Sequence, residues 1–254
     1  MTKKIKTIVF AVGGRGQRIV SYFKSIGYKG PKPLYLIKGK PLISWLIDMS
    51  FSLGFQRVFL LSNFYEEDIL SFVKEHYYKD SRIKVVRRSR FSTKNKVPPM
   101  IYSLRDKLRE PFIYSDGNIF YNRKILSSLM SGATTDKDSL IDLAVSRKDQ
   151  AKTHLGVRVR GSNIVSMDAR IKNGQRTLDK GVTNYCSLGL MVINPKVFKL
   201  FPSLGNKVDL DLVVQEIFSR QLNSGKKYIK ITKYRGKWLA VHEKRDIDKI
   251  LEIL

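Results

Sequence analysis

The sequence has a single cysteine, three histidines and no long hydrophobic run. Cys186 alone excludes an intramolecular disulfide and a cysteine-rich metal site, which fits a reducing compartment. The longest apolar runs, such as residues 8–12, fall far short of the roughly 20 residues that span a bilayer. The first residues also lack a secretory h-region. We therefore expect a cytoplasmic protein that has no membrane segment.

Acidic residues are also scarce, because 22 Asp and Glu stand against 48 Lys and Arg, for a net charge of +26. Clustered cations provide salt-dependent phosphate binding, so nucleic acid is one candidate partner. The alternative is a generally basic surface whose long-range field concentrates phosphorylated small substrates. Cations run along the whole chain, and the densest cluster, 82–96, has no aromatic ladder. We favour the second interpretation and keep polyanion or RNA binding as an alternative.

Short β-rich runs alternate with amphipathic helical stretches along the chain. The pattern predicts strands at 7–12, 57–62, 83–86, 112–115, 143–146, 156–159, 188–193, 228–231 and 237–241, and helices at 43–53, 66–77, 100–108, 123–131, 210–223 and 246–254. This alternation indicates a three-layer αβα Rossmann-like fold with a mostly parallel mixed central sheet. Residues 143–194 give short strands and no helix, which predicts a small β-rich flap beside the sheet. We expect residues 1–254 to form one domain.

A glycine-rich segment follows the first predicted strand directly and contains Gly13, Gly14 and Gly16. Three glycines let backbone amides converge on an anion without obstruction by Cβ atoms. Arg18 and Lys32 can add positive charge around that anion. The segment therefore predicts a triphosphate-binding loop, with a tight β-to-α turn as the alternative. It is not a P-loop, because no Gly-Lys-Ser or Gly-Lys-Thr follows it.

The order of motifs resembles the sugar-1-phosphate nucleotidyltransferases, the family that includes glucose-1-phosphate thymidylyltransferase and mannose-1-phosphate guanylyltransferase. The matching segments are Gly-Gly-x-Gly-x-Arg at 13–18, Pro-Lys-Pro-Leu at 31–34, Lys-Pro-Leu-Ile at 40–43, Ser-Asp-Gly-Asn-Ile-Phe at 115–120 and Leu-Gly-Val at 155–157, with Asn184, Gly189 and Trp238 beyond them. The resemblance spans nearly the whole chain. It implies the nucleotidyltransferase fold of that family.

The resemblance also implies an activity and a set of site residues. The activity is transfer of a nucleotidyl group from a nucleoside triphosphate to a sugar-1-phosphate, or a similar phosphorylated small molecule, with release of pyrophosphate. The implied nucleotide-binding residues are Gly13, Gly14, Gly16 and Arg18. The implied catalytic residues are Arg18, Lys32 and Asp116, with Asp116 as the Mg²⁺ ligand. Gly156, Asp168 and Asn184 would bind the sugar phosphate. Because the attacking phosphate oxygen is already anionic, positioning, Mg²⁺ and cations suffice without a general base.

Several positions depart from the family pattern. The loop threonine is Gln17, and the usual Gly-Asp order reads Asp116-Gly117, for which an ordinary Asp-Gly turn is the alternative. Where the family has a second metal-binding aspartate after the late tryptophan, this chain has Ala240. His242 or Glu243 could substitute as a metal ligand, but histidine is a poor ligand for Mg²⁺, and we favour the interpretation of His242 as a polar loop residue. The lost carboxylate leaves open a second hypothesis, a catalytically degenerate homologue that uses the loop for nucleotide sensing or protein interaction.

Other residues are interpreted as structural or surface residues. The Asp209-x-Asp211 pair precedes a predicted helix and is interpreted as an N-cap and a first-turn acid rather than a metal site. His76 and His154 are interpreted as surface residues. Residues 88–97, in the region that reads the base in the family, do not align, so the base is not predicted. A homo-oligomer and a monomer both stay open, and an apolar surface formed by Phe198, Leu200 and Phe201 with the C-terminal helix would favour the oligomer.

Overall fold

The computed structural model describes residues 4–14, 16–87, 97–132, 139–147, 154–168, 181–201 and 209–250. Its strands are β1 (Thr7–Ala11), β2 (Leu36–Ile37), β3 (Lys40–Pro41), β4 (Arg57–Ser62), β5 (Ile83–Arg87), β6 (Phe112–Asp116), β7 (Ile119–Tyr121), β8 (Ile141–Ser146), β9 (Gly156–Arg160), β10 (Asn163–Asp168), β11 (Val182–Ile193), β12 (Ile229–Tyr234) and β13 (Trp238–Ala240). Its helices are α1 (Val20–Ser25), α2 (Leu42–Ser52), α3 (Glu66–His76), α4 (Val97–Ser103), α5 (Arg123–Gly132), α6 (Leu210–Ser224) and α7 (Lys244–Ile250).

Nine of the described strands form one mixed sheet at the centre of the molecule. Seven of them follow the order β10-β9-β11-β6-β1-β4-β5. β8 pairs with the other side of β11 and is followed by β12. β1 runs parallel to β4 and β6, β4 to β5, and β8 to β12. β11 runs antiparallel to β6, β8 and β9, and β10 runs antiparallel to β9. Seven of the nine strands thus share one direction, with β10 and β11 as exceptions. The predicted α/β fold with a mostly parallel mixed sheet is confirmed.

Successive residues of β1 enter different hydrophobic cores. Val9 belongs to a core that includes apolar side chains of α4 and α6, whereas Ile8 and Phe10 belong to one that includes side chains of α2, α3 and α5. Both faces of the sheet are therefore covered, as the apolar predicted strands required. In the described part of the chain, no helix is long and apolar enough to cross a membrane.

Differences from the predicted elements arise where tertiary pairing decides the structure. The β-rich segment forms β8 to β11, and these strands are hydrogen-bonded into the central sheet instead of lying beside it. The sequence pattern does not predict β2, β3, β7, β10 or α1, since each is short or weakly patterned; α1 has neither an acidic first turn nor a side-chain cap. Phe198 and Phe201 are each only 8% exposed and pack in the core, with the partly buried Leu200 against them, so these three residues do not form the predicted apolar surface. Residues 88–96 and 251–254 lie outside the described residues.

The long strand β11 bends at Gly189, where φ is +64° and the register with β8 shifts between Ser187 and Met191. A Cβ atom at Gly189 would overlap the Asp116 carboxylate and lie 2.7 Å from Ile119 Cδ1. The missing side chain therefore lets β11 pass directly over the end of β6. The bend places backbone against the residue predicted to bind metal.

We expect Gly189→Ala to lower the melting temperature clearly more than Gly161→Ala does. Both glycines have positive φ, so alanine adds about 1–2 kcal/mol of backbone strain at either site. Only at Gly189 does the new methyl group meet other atoms within 4 Å, which adds about 1–3 kcal/mol of overpacking. Thermal melts of both variants measure the difference. Equal destabilisation would show that the Gly189 contact with Asp116 is unimportant.

Candidate functional site

The predicted phosphate loop and Asp116 lie side by side at the carboxyl ends of β1 and β6. Ala11 is opposite Asp116 in the parallel register, and the Gly117 amide donates to the Ala11 carbonyl at 2.9 Å. A Cβ atom on Gly117 would lie 2.7 Å from that carbonyl oxygen, so the two backbones touch because Gly117 has no side chain. Ligands of open α/β sheets bind beyond this edge.

The three loop glycines have different structural roles. Gly13 packs against the end of β4, where its Cβ would lie 2.9 Å from the Ser62 carbonyl carbon. Gly16 has φ of +63°, and its carbonyl accepts from the Ile19 amide at 2.9 Å to close the turn. Gly14 is exposed, and a Cβ there would meet nothing within 4 Å. The loop is thus anchored on its inner side and open on its outer side, where an anion can approach.

Lys32 begins a short 3-10 turn, Lys32–Leu34, that faces the loop, because a Cβ on Gly16 would lie 3.8 Å from Lys32 Cβ. Its Nζ donates to the Val241 carbonyl at 2.9 Å. Burial and the neighbouring Arg18 charge lower the pKa of Lys32 to about 8, against the opposing effect of Asp116 and Asp246. At neutral pH the side chain is therefore a desolvated cation that is held beside the loop.

Asp116 is a carboxylate with a perturbed acidity. Burial, helped by the Asp211 charge, raises the pKa of Asp116 to about 6. The Tyr114 hydrogen bond and the Lys32 charge act in the opposite direction. The Tyr114 hydroxyl donates to Asp116 Oδ1, and burial beside Asp116 raises the pKa of Tyr114 well above its usual value. A bound cation would relieve the cost of ionising this carboxylate. Asp116 therefore has the chemistry of a ligand for a hard divalent cation.

Asp211 acts on this site from a distant part of the sequence. Asp209 is the N-cap of α6 and Asp211 lies in its first turn, as predicted. The Asp211 charge also raises the pKa values of Asp116 and Tyr114, and burial raises the pKa of Asp211 itself. The start of α6 therefore contributes negative charge to the site. The sequence pattern explained the helix start but not this proximity.

A buried alanine and a backbone carbonyl lie where the sequence pattern would place a second metal-binding carboxylate, after Trp238. Ala240 is 2% exposed and pairs with Ile119 of β7. The next carbonyl, that of Val241, accepts from Lys32 Nζ and from Asn118 Nδ2 at 3.2 Å. Glu243 is exposed and pairs with Arg245 at 3.0 Å. Within the ranges that the structure describes, no three His, Cys, Asp or Glu side chains are grouped to hold a metal ion.

Two histidines lie close to the cations of the site. The rings of His154 and His242 are 5.9 Å apart, and His154 is also 5.5 Å from the Trp238 ring. Burial, then Arg18, lowers the pKa of His154 to about 4; the same causes with Lys32 and His154 lower that of His242 to about 3. Both rings are neutral at pH 7. The interpretation of His154 as a surface residue is wrong, since it is 8% exposed, whereas His76 is confirmed as exposed.

The predicted sugar-phosphate residues lie on three neighbouring strands. Gly156 of β9 is opposite Asp168 of β10 and also opposite Cys186 of β11. Asn184, two residues before Cys186, is opposite Arg158, and its buried Oδ1 has no hydrogen-bond partner in the described part of the protein. The structure brings these residues into one region of the sheet. Their role in binding a sugar phosphate stays a prediction.

Comparisons with known proteins identify the fold. No protein-family model and no curated protein sequence matches the chain. The structure is similar to the inositol-1-phosphate CTP transferase from T. maritima, with a TM-score of 0.76 and 19% identity over 100% of this chain and 96% of that one. It is also similar to a putative glucose-1-phosphate thymidylyltransferase from Bacillus anthracis, with a TM-score of 0.74 and 13% identity over 96% of this chain and 93% of that one. A third similar structure is HddC from Yersinia pseudotuberculosis complexed with GMP-PN, with a TM-score of 0.66 and 18% identity over 98% of this chain and 99% of that one.

Sequence identities of 13–19% show similarity of fold alone, so the activity of this chain must be inferred from its own residues. The full-length coverage agrees with the predicted extent of the resemblance. The protein therefore has the Rossmann-like fold of solved sugar-1-phosphate nucleotidyltransferases.

Proposed function

We propose that the protein is a Mg²⁺-dependent nucleotidyltransferase. It would transfer a nucleotidyl group from a nucleoside triphosphate to a sugar-1-phosphate, or a similar phosphorylated small molecule, and release pyrophosphate. The observation that supports this most is the proximity of the glycine loop, Lys32 and Asp116 at the carboxyl ends of β1 and β6. Similarity to structures named as transferases of this kind supports the same proposal.

The glycine loop and two cations would bind the triphosphate. The exposed Gly14 and the turn at Gly16 leave backbone amides accessible, and Arg18 and Lys32 add positive charge. Lys32 is already desolvated and fixed by the Val241 carbonyl. Charge that is placed before the reaction needs no reorganisation when pyrophosphate charge develops, which is the most effective form of electrostatic stabilisation.

Asp116 would hold the magnesium ion. Mg²⁺ usually binds proteins through one or two carboxylates and completes its shell with water and substrate phosphates. A single strong ligand at Asp116 is therefore compatible with Ala240 at the other family position, and Asp211 supplies a second nearby negative charge. When bound, Mg²⁺ would neutralise part of the triphosphate charge. Gly156, Asp168 and Asn184 would position the acceptor.

The degenerate-homologue hypothesis has one specific observation in its favour. Ala240 is buried in β13, and the described part of β13 offers no carboxylate to the site. Under this hypothesis the loop would bind nucleotide without turnover. A catalytic assay separates the two proposals.

We expect pyrophosphate release from at least one of the four common nucleoside triphosphates when Mg²⁺ and a panel of hexose-1-phosphates and polyol phosphates are supplied. A coupled pyrophosphate assay measures it, and omission of the acceptor is the control. Nucleotide binding without turnover across the whole panel would favour the degenerate homologue. The active pair would also identify the base and the acceptor.

We expect Asp116→Asn to lose about 10²- to 10³-fold in turnover, by analogy with the loss of other preorganised charge-stabilising groups. Asp142→Asn is the matched control, because Asp142 is also a buried carboxyl whose pKa burial raises, but it lies on β8 and bonds to Thr232 at 2.9 Å. Turnover and melting temperature are measured for both variants. Full activity in Asp116→Asn would remove Asp116 from the site.

We expect kcat/KM for the triphosphate to fall as pH rises through about 8, because Lys32 then loses its proton. Lys32→Arg should abolish this fall, since a guanidinium stays charged throughout the range. Arg18→Ala should move the fall to higher pH, because the Arg18 charge is one cause of the lowered Lys32 pKa. A pH profile of the three proteins tests this. Identical alkaline limbs in all three would contradict it.

A further inference from the structure

A second basic region lies away from the proposed nucleotide site, along the edge strand β12. Residues 217–242 contain no Asp or Glu. We call the following six cations of this segment the β12 basic edge: Lys226, Lys227, Lys230, Lys233, Arg235 and Lys237. Five of the six, all except Lys230, are exposed. The +26 charge of the chain therefore has at least one concentrated surface location.

One side of β12 pairs with no strand in the described structure. In the described structure β12 pairs with a single strand, β8, and so forms the edge opposite β5. Lys233 extends from this edge, where its Nζ donates to the Gly161 carbonyl at 3.3 Å and lies 5.5 Å from the Tyr185 ring. Arg147 approaches the same ring at 5.8 Å. These contacts arrange cations along the edge and are compatible with further ligands.

Two concave surfaces flank the edge. One cavity of about 670 Å³ is lined by Lys226, Lys227, Lys230 and Lys233 together with Asn163 and Gln221. A second, of about 570 Å³, is lined by Lys124, Arg235 and Lys237 together with Tyr234. The described residues that line them include no Asp or Glu, and none belongs to the glycine loop, Lys32 or Asp116. The edge is therefore a basic region distinct from the proposed nucleotide site.

We propose that the β12 basic edge binds single-stranded nucleic acid through its phosphodiester backbone. Lysine and arginine side chains bind phosphates without sequence preference, and such grooves take about 4–16 nucleotides. The half-buried Tyr234 also lines the second cavity, and aromatic side chains are the groups on which bases stack in single-strand-binding grooves. This function goes beyond nucleotidyl transfer and does not depend on it.

The shape of the β12 basic edge favours a nucleic-acid strand over a membrane surface as its ligand. Its cations line concave cavities that a flat bilayer cannot enter. Among the described lining residues, Leu222 is the one large apolar side chain that is exposed, at 61%. Membrane-surface binding normally combines cations with a larger apolar face. A flexible polyanion needs no such face.

The test compares two triple variants that remove the same charge. Lys227→Gln, Lys233→Gln and Arg235→Gln change the β12 basic edge, and Lys74→Gln, Lys79→Gln and Lys84→Gln change exposed lysines on α3, after it and on β5 at the opposite sheet edge. Fluorescence anisotropy with a labelled oligouridylate of about 12 nucleotides measures affinity over a salt series. Melting temperature and nucleotide binding are measured for each protein, so that a folding defect is recognised.

We expect salt-sensitive binding by the unchanged protein and at least about tenfold weaker binding by the β12 triple variant. The slope of log affinity against log salt should become shallower by about 2, because three phosphate contacts are lost. The control triple should bind within about twofold of the unchanged protein if the effect is local. Excess Mg²⁺-triphosphate should not displace the oligonucleotide.

Four results would overturn the proposal. The first is the absence of salt-sensitive binding in the unchanged protein, and the second is an equal loss of binding in both triple variants. The third is displacement of the oligonucleotide by triphosphate. The fourth is a β12 variant that loses binding to phosphatidylserine vesicles but keeps its binding to RNA. The third would place the RNA in the nucleotide site, and the fourth would assign the edge to a membrane. Because the edge residues lie outside the proposed transferase site, failure here leaves that proposal unchanged.

Discussion

The parallel pairing of β1 with β6 is the constraint on which the rest of the site depends. It aligns Ala11 with Asp116 and lets the Gly117 backbone touch the Ala11 carbonyl. β11 then crosses the same point, and its bend at Gly189 leaves no room there for a side chain. Three backbones therefore meet around one carboxylate. The distance between the phosphate loop and the proposed metal ligand is set by the sheet and not by flexible side chains.

Burial gives the charges of this site their proposed chemical use. Lys32 and Asp116 are both desolvated, so the pKa of the lysine is lowered and that of the aspartate is raised. Each ionised side chain is thus incompletely compensated by its surroundings. A triphosphate with its cation would supply the missing opposite charges to both. The neighbouring histidines stay neutral because burial, and then the Arg18 charge, oppose their protonation, which leaves the positive charge on Arg18 and Lys32.

Local features of the site could be predicted from the sequence, and its long-range contacts could not. The glycine loop and the strand that ends at Asp116 depend on neighbouring residues, so hydrophobic pattern and motif order located them. The effect of Asp211 on Asp116 and the burial of His154 against Trp238 depend on how distant elements pack. No local periodicity records such contacts. For the same reason β7 and β10, which are defined by their partners β13 and β9, were missed.

Mn²⁺ binding by the unchanged protein and by Asp116→Asn shows whether the glycine loop and Asp116 act on one metal–triphosphate complex. Mn²⁺ can replace Mg²⁺ at oxygen sites and is seen by electron paramagnetic resonance. We expect weak Mn²⁺ binding without nucleotide and strong binding in a ternary complex with a triphosphate. In Asp116→Asn the ternary signal should be lost while the loop still binds metal-free triphosphate. An unchanged ternary signal in that variant would show that the loop and Asp116 do not act on one metal–triphosphate complex.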